Sequence, residues 1–186
     1  MEELLKHYPD FPKKGISFVD VLPLLQNKEA FSNVIGEIDK LCTAPNVTAI
    51  EARGFIFSAP LLTTSEKIKA LLPIRKKGKT PHTAGDLRKV DIMKEYGSDE
   101  LFYRHSDIAA LTKTGDTIDI TIFDDLLATG GTAYELARAL EKEMVEGCRV
   151  KIKEFVFLVE LQYLGGAKLL NEIAPVHSLM KMPMHD

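Results

Sequence analysis

Apolar and polar positions change period several times along the chain, and the changes divide it into alternating strands and helices. Phe31, Val34, Ile35, Ile38 and Leu41 recur at helical spacing, which predicts a helix over residues 28–42 with one apolar face. Residues 47–51 and 70–74 are short apolar runs that read as strands. Residues 55–67 between them read as a helix interrupted near Pro60. Residues 92–96 and 100–104, separated by Gly97-Ser98-Asp99, predict a hairpin. Residues 117–123 and 151–158 are further strands, and Ala133, Leu136, Ala137, Leu140 and Met144 mark the apolar face of a helix between them. Strands alternating with helices predict an α/β fold, a mostly parallel sheet covered on both faces, with ligands bound where the strands end.

The segments without period are as informative. Two prolines and a glycine make Tyr8-Pro9-Asp10-Phe11-Pro12-Lys13-Lys14-Gly15 an irregular loop. Residues 80–94 are polar and lack a clear repeat, a length more usual for a functional lid than for a plain connection.

At 186 residues the chain fits a single domain. Lys and Arg number 24 against 27 Asp and Glu, a net charge of -3, so no general positive field is available for nucleic acid. An anionic ligand must then be held by local placement of charge. No apolar run approaches the roughly 20 residues that span a bilayer, and residues 1–9 are charged, so neither membrane insertion nor secretion is expected. Cys42 and Cys148 form no CxxC pair and the five histidines no HExxH, which points to a cytoplasmic chain without a protein-held metal.

The chemistry is concentrated in Ile122-Phe123-Asp124-Asp125-Leu126-Leu127-Ala128-Thr129-Gly130-Gly131-Thr132. Two acids close a strand, a turn of small residues follows, and a helix begins. The helix start offers unpaired N–H groups and the positive end of its dipole. Gly130 and Gly131 let that backbone approach a phosphate, and Thr129 and Thr132 add hydroxyls. The acids repel a phosphate but accept hydrogen bonds from vicinal hydroxyls, so the string suits a phosphorylated ribose. Neither a Walker loop nor a GxGxxG is present.

This string resembles the phosphoribosyl pyrophosphate signature of the type I phosphoribosyltransferases, in particular their adenine-using branch. Tyr8-Pro9-Asp10-Phe11-Pro12 with Gly15 and Phe18, Glu51-Ala52-Arg53-Gly54-Phe55-Ile56-Phe57, Arg75-Lys76-Lys77-Gly78-Lys79, Glu95-Tyr96-Gly97, and Glu160-Leu161 with Leu164-Gly165-Gly166 are similar to the same enzymes in the same order. The resemblance implies a single domain over residues 1–186. Its core would cover about residues 31–170, with a hood from about residues 1–30 and part of the C-terminal tail, and a mobile lid. It also implies a cytoplasmic homodimer that converts adenine and phosphoribosyl pyrophosphate into AMP and pyrophosphate, with Mg2+ held mainly by substrate oxygens and water.

The roles that the resemblance implies follow residue by residue. Asp124 and Asp125 would take the ribose, and Ala128, Thr129, Gly130, Gly131 and Thr132 its phosphate. Arg53, Arg75, Lys76 and Lys79 would take the pyrophosphate, Arg53 also stabilising the leaving group. Glu95 would accept the purine proton with Tyr96 beside it. Ser17, Phe18 and Val19 would read the base edge, largely through backbone, and Leu126 would pack on the ring. A 6-oxopurine enzyme and a non-catalytic sensor of the same fold are the alternatives.

Three places depart from the family pattern. The hood reads Phe18-Val19-Asp20 where the family has Phe-Arg-Asp. Residues 80–94 lack the usual Leu-Pro-Gly start, and the lid closes on Met93-Lys94-Glu95-Tyr96. Ile118-Asp119-Ile120-Thr121-Ile122 alternates like a strand with one less apolar face.

Overall fold

The structure, a computed structural model, describes residues 2–11, 14, 17–93 and 98–183. A small antiparallel pair, β1 (Lys6–Tyr8) and β2 (Phe18–Asp20), precedes the main body. There follow α1 (Lys28–Leu41), β3 (Asn46–Ile50), α2 (Arg53–Ser58), α3 (Leu61–Thr64), β4 (Ala70–Lys76), β5 (Leu87–Met93), β6 (Ser98–Arg104) and α4 (His105–Ala109). Then come β7 (Thr117–Leu127), α5 (Gly131–Leu140), β8 (Met144–Val145), β9 (Cys148–Leu161), α6 (Gly166–Leu170) and β10 (Val176–Met182).

The main sheet runs β10-β9-β7-β3-β4-β6-β5, with β8 paired to β9. The pairs from β10 to β4 are parallel, while β6 joins both β4 and β5 antiparallel. This is the mostly parallel α/β sheet that the sequence predicts. From β3 the chain goes on to β4 on one side, and from β7 it goes on to β9 on the other. The carboxyl ends of β3 and β7 therefore flank the point where strand order reverses, and open α/β sheets bind ligands in the crevice at such a point.

Two apolar clusters, one on each side of the sheet, hold the helices. Val34, Ile35 and Ile38 of α1 and Phe57 of α2 join Val47, Ala49 and Phe123 in one. Leu136, Ala137 and Leu140 of α5 join Leu72, Ile74, Ile120 and Ile122 in the other. Asn27 caps α1 by accepting the Ala30 N–H at 3.0 Å. Among the described residues no helix is long and apolar enough to cross a membrane.

Several expectations shift. The aperiodic stretch 80–94 is not all loop, because residues 87–93 pair with β6 throughout, from Leu87↔Arg104 to Met93↔Ser98. Long polar side chains on an edge hairpin, such as Arg88 and Lys89, blur the period-2 signal. Met144 does not continue the α5 face; the helix stops at Leu140, and Met144 is 64% exposed in β8. The tail strand β10 adds to the edge of the main sheet beside β9, where Met180 shares an apolar cluster with Leu5, Val19 and Val21. β7 runs past the acid pair to Leu127 and is buried on both faces. Its polar positions are satisfied. Thr121 donates to the buried carboxylate of Glu154, and Asp119 accepts the Thr117 hydroxyl at 2.8 Å, with Lys153 at 3.9 Å. The alternation in β7 therefore reports internal hydrogen bonds and not a wet face.

Candidate active site

Four strand ends meet at the switch point. β3 delivers Glu51 and Arg53, β4 delivers Arg75 to Lys79, β7 delivers the acid pair, and β9 leads to Gly165 and Gly166. The Glu51–Ala52 peptide is cis, and α2 begins at the next residue, Arg53.

The acid pair is a buried polar group. Asp124 Oδ1 accepts the Asp125 N–H at 3.0 Å. Asp125 is 4% exposed, and Arg53 Nε stands 2.8 Å from its Oδ2. The guanidinium is the cation that this buried Oδ2 faces. Burial, then the Asp125 charge, holds the Asp124 carboxyl well above the usual carboxylate range. Burial also raises Asp125, against the opposing pull of Arg53. Two carboxylates under this strain favour added donors or a cation. The Arg53 guanidinium also lies 5.2 Å from the centre of the Phe18 ring, and Phe18 meets Phe11 edge-on at 5.3 Å. Arg53 thus links the hood to the acid pair.

Beyond the acids lies a cavity of about 100 Å³ lined by Asp124, Phe157 and the loop and helix start from Leu126 to Ala133. No side chain caps α5, so its first N–H groups are free for an anion. Gly130 makes this turn at φ 82°, in the left-handed region. Gly166 supports the loop from behind. A Cβ there would lie 2.3 Å from the Ala128 carbonyl oxygen, so only glycine fits.

The second basic group is built differently. Arg75 is engaged by Glu51 at 2.5 Å, and the Lys76 N–H donates to the same carboxylate at 3.2 Å. Burial would raise Glu51, but Arg75 and the Lys76 N–H together hold it below the usual carboxylate range. Lys76 and Lys79 have exposed side chains. Lys76 helps line a cavity of about 500 Å³ with Lys77, Asp99, Glu100 and Leu101. Lys77 and Lys89 each stand 2.8 Å from Glu100 and hold its carboxyl down to about 2.

The structure therefore brings together Arg53, Asp124, Asp125, Phe18 and the loop from Ala128 to Thr132. Leu126 is half-buried on β7 just past the acids. Ser17 donates its N–H to the Tyr163 hydroxyl at 3.3 Å. The Val19 side chain is 1% exposed in the core, and the residue pairs with His7 of β1. Glu95 and Tyr96 lie outside the described residues. Sequence reasoning assigned no role to Glu51, Tyr163 or Gly166. An acid directly after a strand was a usable signal for Glu51. Nothing in the pattern distinguishes Tyr163.

No family model matches the chain. An adenine phosphoribosyltransferase of Synechococcus sp. (strain CC9605) is 36% identical over 184 residues, covering 97% of this chain and 98% of the relative. The crystal structure of adenine phosphoribosyltransferase from Thermoanaerobacter pseudethanolicus superposes with a TM-score of 0.80 at 34% identity, covering 97% of each chain. That of the Saccharomyces cerevisiae adenine phosphoribosyltransferase, complexed with D-2,5-dideoxy-2,5-imino-altritol 1,6-bisphosphate and adenine, gives 0.73 at 31% identity, covering 94% of this chain and 93% of that one.

Proposed function

The chain belongs to the adenine phosphoribosyltransferase family, and from that premise we propose how its residues transfer the phosphoribosyl group. The reaction is that of purine salvage: adenine and phosphoribosyl pyrophosphate give AMP and pyrophosphate. The 6-oxopurine enzyme and the non-catalytic sensor are not favoured.

The observation that carries the residue assignment is the buried acid pair, with Arg53 held at Asp125, beside an uncapped helix start. A ribose hydroxyl takes the place of Arg53 at Asp125, while the N–H groups of Thr129 to Thr132 take the adjoining 5′-phosphate. Asp124 accepts the second hydroxyl. With the sugar held at both ends, its anomeric carbon is kept in line between base and leaving group.

Departure of pyrophosphate leaves an oxocarbenium-like centre and builds charge on the leaving oxygens. Arg53, freed from Asp125 as the ribose engages that carboxylate, meets this charge, with Arg75, Lys76 and Lys79 along the rest of the pyrophosphate. The purine N9 forms the new bond to the anomeric carbon, and Glu95 accepts its proton. Tyr96, next to Glu95 in the sequence, contributes to binding the base. Leu126 packs on one face of the base, and Ser17, Phe18 and Val19 border it, Val19 through its backbone.

The two carboxylates, both raised by burial and Asp124 also by the Asp125 charge, fit a divalent cation nearby. Among the described residues no group of three or more His, Cys, Asp or Glu side chains is arranged around a metal. Bound Mg2+ would be held mainly by pyrophosphate and ribose oxygens and water, with Asp124 and Asp125 acting on the ribose. It would neutralise developing phosphate charge. The cytoplasm suits Cys42 and Cys148, both buried and free. The assembly we propose is a homodimer.

Incubating the chain with labelled adenine, phosphoribosyl pyrophosphate and Mg2+ tests this reading. Labelled AMP and pyrophosphate are expected in equal amounts, with hypoxanthine and guanine competing poorly. No AMP at high enzyme concentration rejects it.

A further inference from the structure

Away from the site, one buried carboxylate gathers partners from three elements. Glu143 lies in the turn after α5 and is 9% exposed. Its N–H donates to the Leu140 carbonyl at 2.9 Å and its own carbonyl accepts the Val150 N–H at 3.2 Å, so its backbone is fixed on both sides. The carboxylate accepts Arg88 Nε of β5 at 3.1 Å and the Tyr103 hydroxyl of β6 at 3.0 Å. It also meets His105 Nδ1, at the start of α4, at 2.7 Å. Burial, then the Glu143 charge, pushes the Tyr103 phenol up, so the hydroxyl keeps its proton and donates. Arg88 turns its Nη1 to the Gly85 carbonyl at 2.8 Å, which anchors the loop ahead of β5.

The position of this knot matters more than its strength, since buried charge networks often add little net stability. α5 is a rod of about 15 Å. Its first residues form the phosphate end of the site, and Glu143 stands just past its last turn. β6, which supplies Tyr103, pairs with β4 at Arg75↔Phe102 and Lys76↔Leu101. Those two residues belong to the pyrophosphate end. The two ends of one substrate are thus gripped by separate elements, and the knot ties those elements together.

We propose that Glu143 is a positioning residue that sets α5 against the β4–β6 pair and so fixes the spacing between the phosphate grip and the pyrophosphate grip. This rests on the function proposed above. A ligand spanning both grips feels the spacing, whereas a ligand filling one grip does not.

Steady-state kinetics of Glu143→Gln separate the cases. The expected result is a KM for phosphoribosyl pyrophosphate raised about tenfold, with kcat and the KM for adenine within about twofold. Inhibition constants for ribose 5-phosphate and for pyrophosphate, each engaging one grip, stay unchanged. Equal weakening of ribose 5-phosphate and phosphoribosyl pyrophosphate overturns the proposal, as does a lowered Tm with unaltered KM. If Glu143→Gln does not fold, Tyr103→Phe, which keeps both charges, carries the same test with about a threefold effect. A wild-type chain that makes no AMP would defeat the proposed function itself. An active wild type with an unchanged Glu143→Gln defeats only the spacing role.

Discussion

The two ends of the proposed site offer an anion different materials. At the phosphate end the donors are backbone N–H groups at the start of α5, and the loop that presents them is pressed against Gly166. At the pyrophosphate end the groups are side chains, and two of them are already committed, Arg53 to Asp125 and Arg75 to Glu51. Backbone donors are organised by the fold and cost little to use. Paired cations are held in place by partners that the substrate must replace. The first grip is therefore brittle toward shape changes, and the second toward charge changes.

Asp125→Ala is the substitution with the largest expected effect. It removes the proposed ribose acceptor and leaves Arg53 without its partner. A fall of about 10³ in kcat/KM for phosphoribosyl pyrophosphate is expected. Retention of more than a tenth of the activity would mean that the acid pair does not hold the sugar. Glu95→Ala should lower kcat by about 10² while leaving both KM values near those of the wild type. A fully active variant would show that the proton leaves by another route.

Gly166→Ala tests the brittle grip. Its methyl would meet the Ala128 carbonyl at 2.3 Å, so the loop must shift, and a loss of about tenfold to 10² in affinity for ribose 5-phosphate is expected. Unchanged binding would show that the loop is pliant. The smallest effect belongs to Lys79→Ala. Its side chain is exposed, and a surface charge of this kind is worth about threefold in KM, fading at high salt.

The acid pair also sets a stability cost of known sign. Asp124 has its carboxyl raised in the fold, so the native state binds more protons than the unfolded chain between the two pKa values. Stability of the ligand-free chain then falls as pH rises through that window. Asp124→Asn, measured without Mg2+ or substrate, should raise Tm by roughly 2–4 °C at pH 8 for each kcal/mol removed, with the gain shrinking toward pH 4. A lower Tm at pH 8 would contradict this.

Much of the fold was legible because period and punctuation agree in the buried elements. α1 and β3 carry apolar side chains at the spacing their geometry demands, and Asn27 marks the helix start. The β5–β6 hairpin was only half legible, since its edge position lets charged residues occupy both faces. The acid pair and the loop after it were legible because their chemistry is written in consecutive residues. Arg53 required the family resemblance, since nothing local says that a residue after β3 will reach Asp125 across the sheet. Glu51, Tyr163 and the Glu143 knot were hidden for the same reason: their partners are distant in the chain, and polar pairs formed by tertiary packing leave no period. Val19 shows the reverse case. A departure from the family pattern is absorbed by the core, because its side chain faces inward.

A crystal structure with AMP bound tests the arrangement most directly. The 5′-phosphate should lie in the cavity bounded by Ala128 to Thr132, with both ribose hydroxyls within hydrogen-bond distance of Asp124 and Asp125 and Arg53 displaced from Asp125. A phosphate bound elsewhere, or a ribose turned away from the acid pair with Arg53 still upon it, would contradict the assignment of the site.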